Sequence, residues 1–419
     1  MALDMVGAPQ NRLAQEVTME GASCIVRIRT DARFSDGSPV TAQDAAYSLQ
    51  LAQASPRFAA QLAGVAEVAT PDRYTIVFTL AAPDQYFPRS LCFPVVGEGT
   101  GEEPLPLGGG RFVLDDSGTA MSRSGSYHTP VQNLRAVRLI DAGPLADQGA
   151  AVLAGELDLF YSDLRGTADL SLGLSRRQVV LSNLVYLGVN SQRRGWPAEL
   201  RAAFSGIIDR DALARRAYLG FAAPAYSPIK QSFSMAAAGE EDPEPDPQEE
   251  LLDALGYGER DAEGWRTYQR RRFTVRLLVN SGSPHRLEAA ALIAQDLAGA
   301  GIQVVVEEAS FEEYSQRIAM GDYDLYLGEL RIPWNLDLTP LIAPSETVGP
   351  GCVRDPELLE IYRQVKAGEA ELSALDSALR RTMPMIPLLY RRGIVAFSPD
   401  FSANIVATEQ DIFYNIGEW

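Results

Sequence analysis

Residues 272–310 read as strand, helix, strand: RFTVRLLVN, then HRLEAAALIAQDLAGAG, then IQVVVEEAS. A strand–helix–strand unit with so short a connection can only place its strands in parallel, with a right-handed crossover. It commits the chain to a mixed α/β architecture in which at least one sheet is covered by helices. No other segment narrows the possible folds as far.

The flanking sequence supplies further elements of both kinds. CIVRIRT (24–30) alternates apolar and polar residues, the pattern of a half-buried strand. Asp36-Gly37 marks a tight turn, and Thr41 with Asp44 three residues on is a helix-capping start for AAYSLQLAQ. Pro71-Asp72 reads as a turn before the strand YTIVFTL (74–80). LRAVRLI (134–140) reads as a strand, and QGAAVLAGELDLFYSDL (148–164) as a helix running into one. In the second half VYLGVNS (185–191) is a strand and ELRAAFSGIIDRDALARRAYLG (199–220) a helix or helix pair. Residues 236–250 form an acidic, proline-bearing, solvated loop. FEEYSQRIAMG (311–321) is a helix leading to a strand at 323–327, and MIPLLY (385–390) and GIVAFS (393–398) read as two late strands. No repeat of fixed period is present.

Length and charge bound the function. A chain of 419 residues exceeds one ordinary core, so two or three domains are expected. A net charge of -18 repels phosphate backbones and anionic lipid, which disfavours nucleic-acid binding. Cys24, Cys92 and Cys352 are far apart and form no CxxC pair, so no disulfide framework follows. His128 and His285 are the only histidines, which excludes a His-rich metal site. No stretch approaches a membrane span, and MALDMVGAPQ has neither the basic nor the apolar region of a secretory signal. Either the protein is cytoplasmic or its natural beginning lies upstream.

Catalytic motifs are lacking. Gly108-Gly109-Gly110 has neither GxxxxGK[ST] nor GxGxxG around it and reads as a turn before RFVLDD. SGSP (281–284), between strand and helix, reads first as a helix cap, although its N–H groups could hold an anion. Glu249, Glu250, Glu307 and Glu308 read as solvated carboxylates and His285 as a surface residue. The segment YDLYLGELRIPWNLDLTPL (323–341) differs because of its place: ligands of parallel α/β sheets sit beyond the carboxyl ends of strands. Residues 328–337 would leave the strand there, offering the flat face of Trp334 and the charges of Glu329, Arg331 and Asp337. Equally, Arg331 would pair internally and Trp334 would be core.

RIRTDARFSDGSPVTAQDAAYSLQLA (27–52) resembles the F-(H/S/T)-DG-x-P-(V/L)-T-A-x-D signature of extracellular solute-binding proteins of family 5, the dipeptide, oligopeptide and nickel-binding components of ABC importers. The resemblance continues in order through PDRYTIVFTLAAPDQYF, LAGELDLFYSDL, YLGVNS, LRAAFSGIIDRDAL, GFAAPAYSPI, DPQEELLDALGY and RFTVRLLVNSGSP to YDLYL. It implies a two-lobe periplasmic-binding fold, of type II and cluster C-like, with the lobes joined by two hinge strands. Lobe I would hold 1–184 and 397–419, with an extra subdomain around 30–110, and lobe II would hold 185–396. A monomer of this kind catalyses nothing and needs no cofactor or metal. It closes on a small molecule or short peptide and presents it to a permease and ATPase complex. The resemblance places the protein in the periplasm or on the extracellular face of the membrane. Along with Glu329, Arg331, Trp334 and Asp337, Asn190, Tyr226 and Ser281 are the expected ligand contacts.

Two departures stand out. The family's opening strand and helix, its signal peptide and its lipid-attachment cysteine are not in this sequence, so the chain resembles a member shortened at its beginning. Peptide-binding members also continue the late strand as G-W-x-A-D-Y-x-(D/E)-P, whose aspartate neutralises the ligand amine. Here GELRIPWNLDLTP puts Arg331 or Pro333 near that place. Glu329 or Asp337 would have to take the amine, or Arg331 a ligand carboxylate. A non-peptide solute such as a metal chelate, or a cytoplasmic sensor of the same fold, is the alternative.

Overall fold

The structure, a computed structural model, describes residues 1–129, 134–141, 143, 145–163, 173–191, 195–230, 248–343, 355–401 and 403–419. The chain opens with a small hairpin, Ala2–Leu3 against Pro9–Gln10, and then builds a four-stranded antiparallel sheet. Its strands are β1 (Ala14–Glu20), β2 (Ser23–Ile28), β3 (Val65–Asp72) and β4 (Thr75–Leu80), in the order β1-β2-β4-β3. Helix α1 (Ala42–Ala54) contributes Ala45, Leu49 and Ala52 to a core with Val26, Ile28, Ile76 and Phe78 of the sheet. Its capping box forms as the sequence requires: the Asp44 carboxylate accepts the Thr41 N–H at 2.8 Å, and Thr41 Oγ1 accepts the Asp44 N–H at 3.5 Å. Thr41→Ala is expected to cost about 1 kcal/mol, read as a lower urea midpoint with unchanged slope.

The larger sheet holds β5 (Leu159–Ser162), β6 (Ser175–Val189), β7 (Thr274–Asn280), β8 (Gln303–Ala309), β9 (Leu325–Arg331) and β10 (Ile386–Phe397). Their order is β5-β10-β6-β9-β7-β8, and a short strand, Ala222–Pro224, also pairs with β10. β7 runs parallel to both β8 and β9, while β6 runs antiparallel to β9 and β10. Helix α3 (Pro284–Gly299) is the crossover the sequence demanded. Together with α2 (Ala198–Ile207) it covers one face, burying Leu200, Phe204, Ile293 and Leu297 against Val185, Leu187, Val275 and Leu327. On the other face α4 (Phe311–Met320), α5 (Pro356–Ala367) and α6 (Leu372–Thr382) pack on Tyr186, Tyr326 and Tyr390. The helix pair expected at 199–220 is present, its second part running from Arg210 to Ala217.

Three strands run longer than the sequence reading has them, all because strand pairing outlasts the apolar pattern. β9 continues to Arg331, since β6 pairs with it residue by residue from Val189↔Leu325 to Asn183↔Arg331. Glu329 and Arg331 therefore belong to a strand and not to a loop leaving one. The two late strands are one, β10, because β6 pairs with both halves across Arg391 and Arg392. β6 itself begins at Ser175, ten residues before the apolar run VYLGV, because its first part is an outer rung against β10. The turn expected at Pro71-Asp72 falls just after them: both close β3, and the Asp72 carboxylate accepts the Tyr74 N–H at 2.8 Å. Of the acidic loop at 236–250, residues 236–247 lie outside the described residues, and Gln248–Leu252 is helical.

Candidate functional site: a charged pocket at the strand ends

At the carboxyl ends of β7 and β9, beside the first turn of α3, lies a polar pocket of about 250 Å³. Asn280 closes β7 and Ser283 precedes α3, so the topology brings a strand end and a helix start to its rim. Its charge is concentrated on three side chains. Glu329 Oε1 accepts from Arg391 Nη1 at 3.0 Å and Asn183 Nδ2 at 2.8 Å, and Oε2 accepts from Arg286 Nη2 at 3.0 Å. The carboxylate is only 12% exposed. Burial pushes its pKa up, but the guanidiniums of Arg391 and Arg286 outweigh that and hold it below the ordinary glutamate value. The group is therefore ionised at neutral pH, and two guanidiniums around one carboxylate leave the pocket with an excess positive charge.

Two buried donors here have no hydrogen-bond partner among the described residues: Tyr218 Oη and Arg286 Nε. Buried polar atoms are almost always paired. Burial raises the Tyr218 pKa, so its hydroxyl keeps its proton and can donate. Beside it His285 is half-buried and stacked on the Tyr218 ring, its Nδ1 donating to the Ala217 carbonyl at 2.9 Å. The surface position expected for His285 is thus corrected: the start of α3 packs against the end of the preceding helix pair. Glu307 is corrected likewise, since it is engaged by Arg317 and by Arg276 at 3.7 Å, while Glu308 is exposed.

A second polar cluster gathers on the carboxylate of Glu409, which is 8% exposed. It accepts from Ser182 Oγ, from Trp334 Nε1 at 3.1 Å, and pairs with Arg331 Nε at 3.4 Å. Lys230 Nζ donates to Ser182 Oγ at 3.1 Å and lies over the Trp334 ring, 3.5 Å from its centroid. A serine beside a lysine has the form of a hydrolytic pair, but Ser182 is fully buried and its hydroxyl is committed to Glu409.

The residues singled out from sequence are thus divided. Glu329 and the 281–284 turn adjoin the first pocket, and Arg331 and Trp334 meet at Glu409. Ser281 Oγ donates to the Ala309 carbonyl at 3.0 Å, tying β7 to β8. Asn190 is buried and donates to the carbonyls of Gly321 and Tyr323, at 2.8 and 3.1 Å, closing the entry to β9. Asp337 accepts the Thr339 N–H at 3.1 Å in the turn starting a short helix. Tyr226 is 42% exposed, with the Arg210 guanidinium 4.5 Å from its ring centre. Tyr218, Lys230, Arg286, Arg391 and Glu409 escaped the sequence reading. Only Arg391 carried a signal there: with Arg392 it interrupts an otherwise apolar run that the sheet keeps as one strand.

The chain thus forms a helix-covered mixed sheet threaded by two long antiparallel strands, with a polar pocket at its strand ends. Residues 8–344 match the bacterial extracellular solute-binding proteins, family 5 Middle, and the chain belongs to that family. A Brucella ovis protein, provisionally named as an ABC transporter peptide-binding protein, is 28% identical over 221 residues. That match covers 46% of this chain and 41% of the relative, so it spans about two fifths of the curated protein. Among solved structures, a nickel ABC transporter protein from Bacillus halodurans superposes with a TM-score of 0.80 at 18% identity, covering 98% of this chain and 91% of that one. An ABC transporter substrate-binding protein from Sinorhizobium meliloti gives 0.79 at 21%, covering 99% and 92%. The fold is that of two-lobe periplasmic binding proteins.

Proposed function

We propose that this chain is the capture component of an ABC importer, closing two lobes on a short peptide and handing it to a membrane permease and its ATPase. The observation that carries the ligand reading is the pocket around Glu329, with its excess positive charge and the unpartnered Tyr218 hydroxyl and Arg286 Nε. Both carboxylate oxygens of Glu329 are already engaged by guanidiniums and an amide. The site suits a solute carboxylate and not an amine. The peptide name of the Brucella relative supports the same substrate class. Among the described residues no group of three or more His, Cys, Asp or Glu is placed to hold a bare metal ion.

Lobe I would comprise 1–184 and 397–419 and lobe II 185–396, with β6 and β10 as the hinge strands. Register breaks in the β6–β10 pairing between Val180 and Leu184, and between Val185 and Tyr186, support a hinge at that place. Among the described residues no helix is long and apolar enough to cross a membrane. The importer role would set the monomer to work in the periplasm or at the outer face of the membrane.

Incubation with a peptide pool, with retained species identified by mass spectrometry, tests the reading, and a bound peptide should raise the melting temperature. Tyr218→Phe is expected to leave stability unchanged, because the hydroxyl makes no hydrogen bond among the described residues. It should weaken capture by about tenfold, the worth of one hydrogen bond to a charged group. Peptides with amidated carboxyl ends binding as tightly as free acids, with Tyr218→Phe indifferent to both, would remove this pocket from the ligand site.

A further inference from the structure

The Glu409 cluster joins segments far apart in the chain. Glu409 lies on the C-terminal segment, whose Tyr414 carbonyl accepts from Arg12 at 3.5 Å and Arg111 at 3.1 Å. That segment therefore belongs with the N-terminal part of the fold. The groups that converge on Glu409 come from the large sheet and its extensions: Ser182 on β6, Arg331 at the end of β9, and Trp334 just beyond it. The N-terminal hairpin meets the same ring from another direction. Gly7, at φ +78°, lies so close that a Cβ there would overlap the Trp334 benzo ring. Trp334 is thereby enclosed by Gly7, Lys230 and Glu409, and 5% exposed. Neighbouring contacts tie the same two parts: Asn335 Nδ2 donates to Ser90 Oγ at 3.0 Å, and Lys366 pairs with Asp84 at 2.7 Å.

Lys230 is the anomalous member. Its ammonium is buried, and among the described residues it has one hydrogen bond, to a hydroxyl, and two ring neighbours, Trp334 and Tyr390. Among the described residues no carboxylate lies within ion-pair distance of it. The charged groups facing it are Glu409 from the C-terminal segment, acting through Ser182, and Arg331 from β9, which opposes it. Tyr390 of β10 stays neutral because burial raises its pKa. From the N-terminal hairpin, Asp4 lines the small cavity beside Trp334 and Glu409, but its oxygens accept from the Val6 and Ala8 N–H groups and from Gln10. An ammonium so desolvated and so weakly paired favours its neutral form.

We propose that this cluster is a proton-linked clasp: when the C-terminal segment and N-terminal hairpin close over Trp334, Lys230 releases its proton to solvent, and when they part it takes one up. In the closed form burial lowers the Lys230 pKa to about 7, with Glu409 only partly offsetting it. Opened to water, the side chain returns toward the ordinary lysine value, about 10.4. The closed form thus binds fewer protons between these values. Closure strengthens as pH rises through that window and becomes independent of pH below about 7. The limiting slope is about tenfold in the closed-to-open ratio per pH unit.

Small-angle scattering on the full chain without solute, from pH 6 to 9.5 at constant ionic strength, tests the clasp separately from the importer reading. Wild type should become more compact as pH rises above about 7. Lys230→Met, which keeps the apolar stem and removes the charge, should be compact and insensitive to pH throughout. Glu409→Gln should be more open across the range, with the wild-type direction of pH response. A pH response that persists in Lys230→Met overturns the proposal. So does a wild-type radius constant across the range, or a Glu409→Gln variant as compact as wild type.

Discussion

Trp334→Ala is expected to lower the free energy of unfolding by about 3–5 kcal/mol, the range for emptying a buried aromatic site. Its indole belongs to the core cluster of Ile332, Leu336 and Leu338, supports the Lys230 ammonium and donates from Nε1 to Glu409. Truncation would open a cavity beneath Gly7, leave Lys230 with only the more distant Tyr390 ring and deprive Glu409 of one donor. Trp334→Phe, which keeps a ring but not the donor, should retain most of the stability and lose about 1 kcal/mol for the hydrogen bond. Urea unfolding of both variants provides the check. Wild-type stability in Trp334→Ala, combined with weakened peptide capture, would instead make the ring a ligand platform, as its position in the sequence suggests.

Glu329→Ala should be as damaging for an electrostatic reason. Removing the carboxylate leaves Arg286 and Arg391 partly buried around an empty centre, and breaking a buried pair from one side typically costs about 3–5 kcal/mol. The pH dependence has a definite sign. Because the folded state holds the Glu329 carboxyl below its ordinary value of 4.5, the stabilisation is complete above that value and is lost as pH falls below it. Urea unfolding at pH 7 should separate wild type from Glu329→Ala fully, and at pH 3 the gap should narrow. An anionic solute in the pocket should restore part of the stability lost at pH 7, since it supplies the missing counter-charge. A gap that widens on acidification would contradict the ion-pair account.

The two charged clusters differ in how visible they were beforehand. Glu329 stands out in the sequence because it follows the apolar run of an α/β strand, although pairing with β6 keeps it within that strand. Its chemistry does not, since its partners Arg286 and Arg391 lie 43 and 62 residues away. An isolated carboxylate suits an amine, whereas both oxygens of Glu329 are already engaged by Asn183, Arg286 and Arg391. Glu409 and Lys230 had no local signature at all. One sits in an irregular segment near the end of the chain and the other after an apolar loop, and only the return of the C-terminal segment joins them.

What the residues determined alone was local. The alternation in β2 and β4, the Thr41–Asp44 box, and the strand–helix–strand unit of β7, α3 and β8 depend on spacing and on short-range hydrogen bonds. The family signature, read in order along the chain, identified the two-lobe fold. The tertiary structure decided where strands end and which charges meet. β9 runs on to Arg331 because β6 offers it hydrogen-bond partners, and β10 passes through two arginines because Arg392 pairs with β6 and Arg391 with the short strand Ala222–Pro224. The sign of each polar cluster is a sum over groups brought together from distant segments, and in a low-dielectric interior that sum outweighs the preference of any single residue.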